Sequence, residues 1–230
     1  MKRNPLLTEM LHAGVFDEAL VAAWAADGAG LRQVLRRRRD GLALVLAIGD
    51  LAGHLSLEQV VTQLSDFADY ALDAAITESI RARVPDADPR GFFAIALGKH
   101  GSRELNYSSD IDPILLFDPT SLPRRERDDA GEAAVRVARG VVDLLQTRDA
   151  DGYVLRVDLR LRPASEATPL AIPVDAAISH YESSALGWER AAFIRGRAAA
   201  GDVTMGARFL ETIQPFVWRR SLDFGAIEEL

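Results

Sequence analysis

Between residues 84 and 91 the hydrophobic pattern of this chain changes its period, and that change limits the fold more than any other feature. The segment Val84, Pro85, Asp86, Ala87, Asp88, Pro89, Arg90, Gly91 holds two prolines and a glycine, which helix interiors reject. Upstream, 31–48 and 57–83 carry apolar residues at helical spacing, as in Val60, Leu64, Phe67, Ala68 and Leu72. Ser56, with Gln59 three residues on, has the form of a capping box opening the second of these. Downstream, the apolar runs 92–97 and 111–117 are short and read as buried strands. Helices followed by strands predict an α+β fold.

A helix is expected over 126–146, with Ala133, Val137, Val141 and Leu144 as its inner stripe, and Gly152 turns the chain into a third strand over 154–162. Along that strand Leu155, Val157, Leu159 and Leu161 fall on one face, and Arg156, Asp158, Arg160 and Arg162 on the other. Residues 163–173 read as loop, and from Val174 the pattern is helical again, through 188–200 and 203–217. The chain divides into a helical N-terminal region (1–88), a core (89–172) and a helical C-terminal region (173–230). It ends at Glu228, Glu229, Leu230 with no helix stop signal, so it is expected to be part of a longer protein.

Composition excludes several classes. The chain has no cysteine, so disulfide scaffolds and thiolate metal sites are ruled out, and a cytoplasmic setting is expected. No run approaches the roughly 20 apolar residues of a membrane span, and Glu9 and His12 interrupt any secretory leader. The net charge of −7 argues against a nucleic-acid partner. Arg36 to Arg39 run against that average and read as the solvated side of a helix. His12, His54, His100 and His180 have no ligand spacing, so zinc is not expected.

The chemistry-bearing stretch is Leu97, Gly98, Lys99, His100, Gly101, Ser102, then Ser108, Ser109, Asp110, Ile111, Asp112. Aspartates two apart at the start of a strand share a face, with Ile111 turned to the core. An Asp-x-Asp alone is more often a cap or surface charge. Here a glycine-bearing turn follows a strand and offers backbone N–H groups to a phosphate, especially where a helix begins, as from Ser102 onward. Gly98, Gly101 and Ser102 are the phosphate-cradle candidates, with Ser109 beside the aspartates; Lys99 reads as solvated. Asp158 supplies a third carboxylate, while Arg156, Arg160 and Arg162 either neutralise phosphate or form a salt-bridged surface. Carboxylates with phosphate oxygens suit Mg²⁺. Trp188, Glu189 and Arg190 open a helix and read as packing with a surface ion pair.

Gly-Ser, then Asp-x-Asp, then a later aspartate resembles the DNA polymerase β-like nucleotidyltransferase superfamily. The stretch GKHGSRELNYSSDID, with RVDLRLRP, YESSALGWERAAFIRGRAAAGD and the closing RRSLDFGAIEEL, resembles the glutamine synthetase adenylyltransferase family. His100 and Ser102 stand where that family commonly has leucine and glycine, and Pro113 replaces an apolar residue. The resemblance implies a polymerase β-like core with a short mixed sheet and helical flanks. It implies two Mg²⁺ ions held by Asp110, Asp112 and Asp158, all three catalytic, with Gly98, Gly101, Ser102, Ser109, Arg160 and Arg162 at the nucleotide. It implies glutamine synthetase and the PII signal protein as partners, with ATP, ADP and phosphate as small molecules. Family enzymes pair a half that removes AMP from a synthetase tyrosine by phosphorolysis with a half that adds it from ATP. SSDID and FVWRRSLDFGA resemble the removing half more. The alternatives are the adding half, a non-catalytic module gripping synthetase or PII, and a transferase acting on RNA or a small molecule.

Overall fold

The computed structural model describes residues 4–150 and 152–218; the closing RRSLDFGAIEEL, with the missing helix stop, lies outside the described residues. Four helices lead: α1 Pro5–His12, α2 Phe16–Trp24, α3 Leu31–Leu51 and α4 Leu57–Arg81. Then come β1 Phe92–Ala96, the one-turn α5 Gly98–Gly101, β2 Pro113–Phe117, α6 Ala130–Gln146 and β3 Ala171–Pro173. The chain continues through α7 Val174–Ser183, α8 Gly187–Phe193, β4 Arg197–Gly201 and α9 Val203–Val217. The fold is α+β, and its mixed sheet runs β3-β2-β1-β4. β1 pairs antiparallel with β2 and β4, and β2 pairs parallel with β3.

Alternation along the strands builds two cores. Phe92, Ala94, Leu115 and Phe117 face the aliphatic cluster of α3, α4 and α6. Phe93, Ile95, Leu97, Ile114 and Leu116 face an aromatic cluster with Tyr181, Phe193, Phe209 and Phe216. Each large side chain so buried stabilises the fold by ~1.5–3 kcal/mol. On α4 the small residues Ala68, Ala71 and Ala75 are fully buried beneath this sheet. Its capping box forms: Gln59 N donates to Ser56 Oγ at 3.3 Å and Ser56 N to Gln59 Oε1 at 2.7 Å. The stripe Ala133, Val137, Val141 and Leu144 is buried on α6, which starts at Ala130 rather than 126. No described helix is long and apolar enough to cross a membrane.

Four expectations are corrected. The segment 154–162 is not a regular strand: it joins the sheet through one parallel bridge, Val157 to Ile111. Residues 197–200, expected as the end of a helix over 188–200, belong with Gly201 to β4, because pairing with β1 overrides the helix preference of Arg-Ala-Ala-Ala. Residues 171–173, expected in a loop, form β3. Arg36, expected on a solvated helix side, is 4% exposed and ion-paired with Asp149.

Candidate functional site

The site is built on the end of the sheet where β1 gives way to α5 and β2 begins. Leu97 N donates to Asp112 O at 3.2 Å, which pins the start of β2 beside the end of β1. Gly98 follows with φ +53°, a conformation that L side chains avoid, and its Cα faces Asp112: a Cβ there would lie 3.2 Å from Asp112 Oδ2. Gly101 is demanded by packing, since a Cβ would stand 2.0 Å from Arg195 O and 2.7 Å from Ala96 O.

Ile111 N donates to Arg156 O at 2.9 Å, and Asp158 N donates to Ile111 O at 2.8 Å. This bridge sets Ile111 and Val157 toward the aliphatic core, so Asp110, Asp112, Arg156 and Asp158 alternate to its other side. Asp110 is exposed and accepts from Arg156 Nε, while Arg156 Nη2 donates to Ser108 O. Asp158 is 18% exposed and gripped by Arg160, with Arg160 Nε at 2.8 Å from Oδ2 and Arg160 N at 2.9 Å from Oδ1.

The three carboxyls differ in environment. Burial, then the charges of Asp158 and Asp110, push Asp112 above the usual carboxylate range, with His100 and Arg160 opposing. The hydrogen bond from Arg160 holds Asp158 below that range, against a smaller upward push from burial. Two of the three thus carry a guanidinium and Asp112 does not. Among the described residues no group of three or more His, Cys, Asp or Glu side chains is gathered in metal-holding array.

Of the other expected residues, Ser102 is the C-cap of α5 and not the start of a helix, so the notion that a helix opens there is corrected. Its hydroxyl donates to Gly98 O at 3.2 Å and to Glu104 Oε2 at 2.9 Å. Ser109 Oγ accepts from Asn106 N at 3.0 Å, closing the turn that precedes Asp110. Arg162 turns away from the carboxylates; it donates to Leu159 O at 2.8 Å, Thr168 O at 3.2 Å, Pro169 O at 3.2 Å and also to Ser165 O. Arg160 stays with the carboxylates and Lys99 is exposed. Glu189, expected in a surface pair, is buried, with Oε1 2.8 Å from His180 Nε2.

The sequence reading missed the support beneath α5. His100 is fully buried, with Nε2 2.8 Å from Asp69 Oδ1. Arg197 of β4 grips Asp69 through both terminal nitrogens at 2.7 and 2.9 Å and donates to His100 O at 3.1 Å. Burial pushes the Asp69 carboxyl up, but hydrogen bonds from His100 and Arg197 outweigh it and hold it low. The signal was present in the departure at position 100: a buried imidazole demands a polar partner.

The chain is similar to known proteins along nearly its whole length. It is 46% identical over 229 residues to the bifunctional glutamine synthetase adenylyltransferase/adenylyl-removing enzyme of Caulobacter vibrioides, covering 95% of this chain and 23% of that protein. It is 46% identical over 222 residues to the enzyme of the same description from Xanthobacter autotrophicus (91% and 22%), and 42% identical over 231 residues to that from Rhizobium meliloti (93% and 23%). The chain thus spans about a quarter of the length of the relatives it matches. The sequence pattern of glutamate-ammonia ligase adenylyltransferase matches residues 5–212, and the chain belongs to that family.

Proposed function

We propose that this chain is a nucleotidyltransferase acting on glutamine synthetase, with Asp110, Asp112 and Asp158 as its catalytic carboxylates. The observation that carries the reading is the placing of the three on one side of the Ile111 to Val157 bridge, where burial and then the charges of Asp158 and Asp110 push Asp112 up. A carboxyl raised by like charges marks a site that gains from a cation, and an all-oxygen donor set fits Mg²⁺. Asp110, Asp112 and Asp158 would hold two such ions, which would neutralise the charge of phosphate oxygens in an in-line displacement. Arg156 and Arg160, now paired with Asp110 and Asp158, are the groups free to turn to those oxygens once the carboxylates take up cations. Gly98 lets the backbone beside Asp112 approach a phosphate, with Gly101 and Ser102 shaping the turn.

The reaction proposed is removal of AMP. An oxygen of inorganic phosphate attacks the phosphorus of the AMP-tyrosine diester, the bond to the tyrosine oxygen breaks, that oxygen takes a proton, and ADP leaves. The SSDID motif supports this direction over addition from ATP. PII protein is proposed as a regulatory partner, on the family resemblance alone.

The test is ADP release from AMP-modified glutamine synthetase with phosphate and Mg²⁺, beside an Asp110→Asn variant. Phosphate-dependent ADP from the wild type alone is expected, and loss of a metal contribution of several kcal/mol lowers the rate of the variant by ~10³-fold or more. Label transfer from ATP to unmodified synthetase, without ADP release, reverses the direction. Silence in both assays replaces the active enzyme by a binding module or by a fragment that needs the rest of its protein.

A further inference from the structure

Arg36 to Arg39 are the longest run of like charge in the sequence, and they do not lie in solvent as a block. On α3 the spacing 32, 36, 39 puts three guanidiniums on one stripe. Each reaches a successive point of the chain that leads from α6 toward Asp158. Arg32 Nη2 lies 2.7 Å from Asp143 Oδ2. Arg36, 4% exposed, donates to Thr147 O at the end of α6 and to Asp149. Arg39 Nη1 donates to Tyr153 O at 3.3 Å, and its guanidinium lies 4.7 Å from the centroid of the Tyr153 ring. Tyr153 in turn accepts from Arg156 Nη1 at 3.2 Å through its hydroxyl, and Arg156 is the partner of Asp110. The neighbours Arg37 and Arg38 point elsewhere, to Asp27 O and to Ala26 O with the Tyr70 hydroxyl.

We infer that Arg36 and Arg39 are positioning residues for the carboxylate site, through which the helical N-terminal region sets where Arg156 and Asp158 stand relative to Asp110. The sheet does not do this alone, because segment 154–162 meets it through a single bridge. A buried guanidinium on a carbonyl and a carboxylate is a rigid fork, and leaving it unpaired in an apolar setting is costly, so Thr147, Asp149 and Tyr153 are held at defined places on α3. The inference rests on the proposed role of Asp110, Asp112 and Asp158, and its test separates the two.

The experiment uses the full chain with Arg36→Gln, Arg36→Lys and Arg39→Gln, with Arg37→Gln as control. The first measurement is amide hydrogen exchange at Ile111 and Asp158, the two donors of the bridge, against amides of β1. Exchange at the bridge rises selectively in Arg36→Gln and Arg39→Gln, falls back partly in Arg36→Lys, and is unchanged in Arg37→Gln. The second is titration with Mn²⁺ alone, where affinity drops by about 10-fold or more, as for other supports of metal-binding residues. An even rise of exchange across β1, β2 and the bridge overturns the inference in favour of a merely structural role, as does an unmoved bridge in a folded variant. If Arg36→Gln fails to fold, Arg39→Gln, whose side chain is 29% exposed, decides the matter. If Asp110→Asn leaves Mn²⁺ affinity unchanged, the site reading fails, while the exchange result still judges the positioning.

Discussion

The carboxylate site has two arms made in different ways. The arm that carries Asp110 and Asp112 runs from β1 through α5 into β2, and five register pairs between the two strands give it a backbone ladder, with the Asp69, His100 and Arg197 side chains seated beneath α5. The arm that carries Asp158 shares one bridge, at Ile111, and two backbone bonds from Val154 N and Leu155 N to Leu145 O at the end of α6. Side chains supply the rest of its hold: Gln146 on Val157 O, Arg36 and Arg39 on its approach, Arg160 on Asp158 itself and Arg162 beyond. A ladder fixes a carboxylate by the pairing of its own neighbours. A clamp fixes it through residues far off in the chain, and is correspondingly easier to loosen without unfolding the whole.

The largest effect is therefore expected in the ladder arm. Gly101→Ala places a methyl 2.0 Å from Arg195 O and 2.7 Å from Ala96 O, both backbone atoms that no rotamer change can clear. Its cost lies at the upper end of the ~1–3 kcal/mol typical of overpacking, or above it. Denaturant unfolding would register it as a lower midpoint across all probes, and an unshifted midpoint would show that α5 is not rigidly seated.

A smaller, more local effect is expected in the clamp arm. Arg162→Ala removes the guanidinium that donates to the carbonyls of Leu159, Ser165, Thr168 and Pro169. Hydrogen bonds from a charged donor are worth about 1.5–3 kcal/mol, discounted here because part of the group meets water. Limited proteolysis within 159–169 should accelerate while the β1 amides keep their protection. Uniform loss of protection would place Arg162 in the global fold instead.

The contrast between the arms also explains what was legible in the sequence. The apolar runs 92–97 and 111–117 and the aspartates two apart are local patterns, and local pairing realises them as β1 and β2 with Ile111 inward. The helices α3, α4, α6 and α9 followed equally from spacing. Period two also found the correct side for Asp158, because one bridge suffices to set it, yet beyond Leu159 the alternation decays: Leu161 joins the aromatic cluster and Arg162 folds back on its own loop. The arginine stripe of α3 was misread because its partners at 147, 149 and 153 lie 111 to 114 residues away, where no window on the sequence reaches. β4 was misread because Arg-Ala-Ala-Ala favours a helix until β1 supplies a partner edge. The Asp69, His100, Arg197 network was hidden for the same reason, its members belonging to α4, α5 and β4.

The smallest predicted effect separates the arms by sign. In the ladder arm Asp112 is held above the ordinary carboxylate value of 3.8, by burial first and then by Asp158 and Asp110. A folded carboxyl that binds its proton more tightly than the unfolded chain contributes stability below the unfolded value and loses it as pH climbs through the folded one. At neutral pH the ionised Asp112 is thus a burden. With chelator present, Asp112→Asn should raise the thermal midpoint at pH 7, and the gain should vanish as pH falls toward 4. In the clamp arm Asp158 is depressed by its hydrogen bond from Arg160, so its contribution is present above the unfolded value and lost only at lower pH. Asp158→Asn should accordingly lower the midpoint at pH 7. Thermal melts of the two variants across pH 3 to 8 check both signs together. If they shift in the same direction at pH 7, the two carboxylates share one environment and the division of the site into a ladder arm and a clamp arm is wrong.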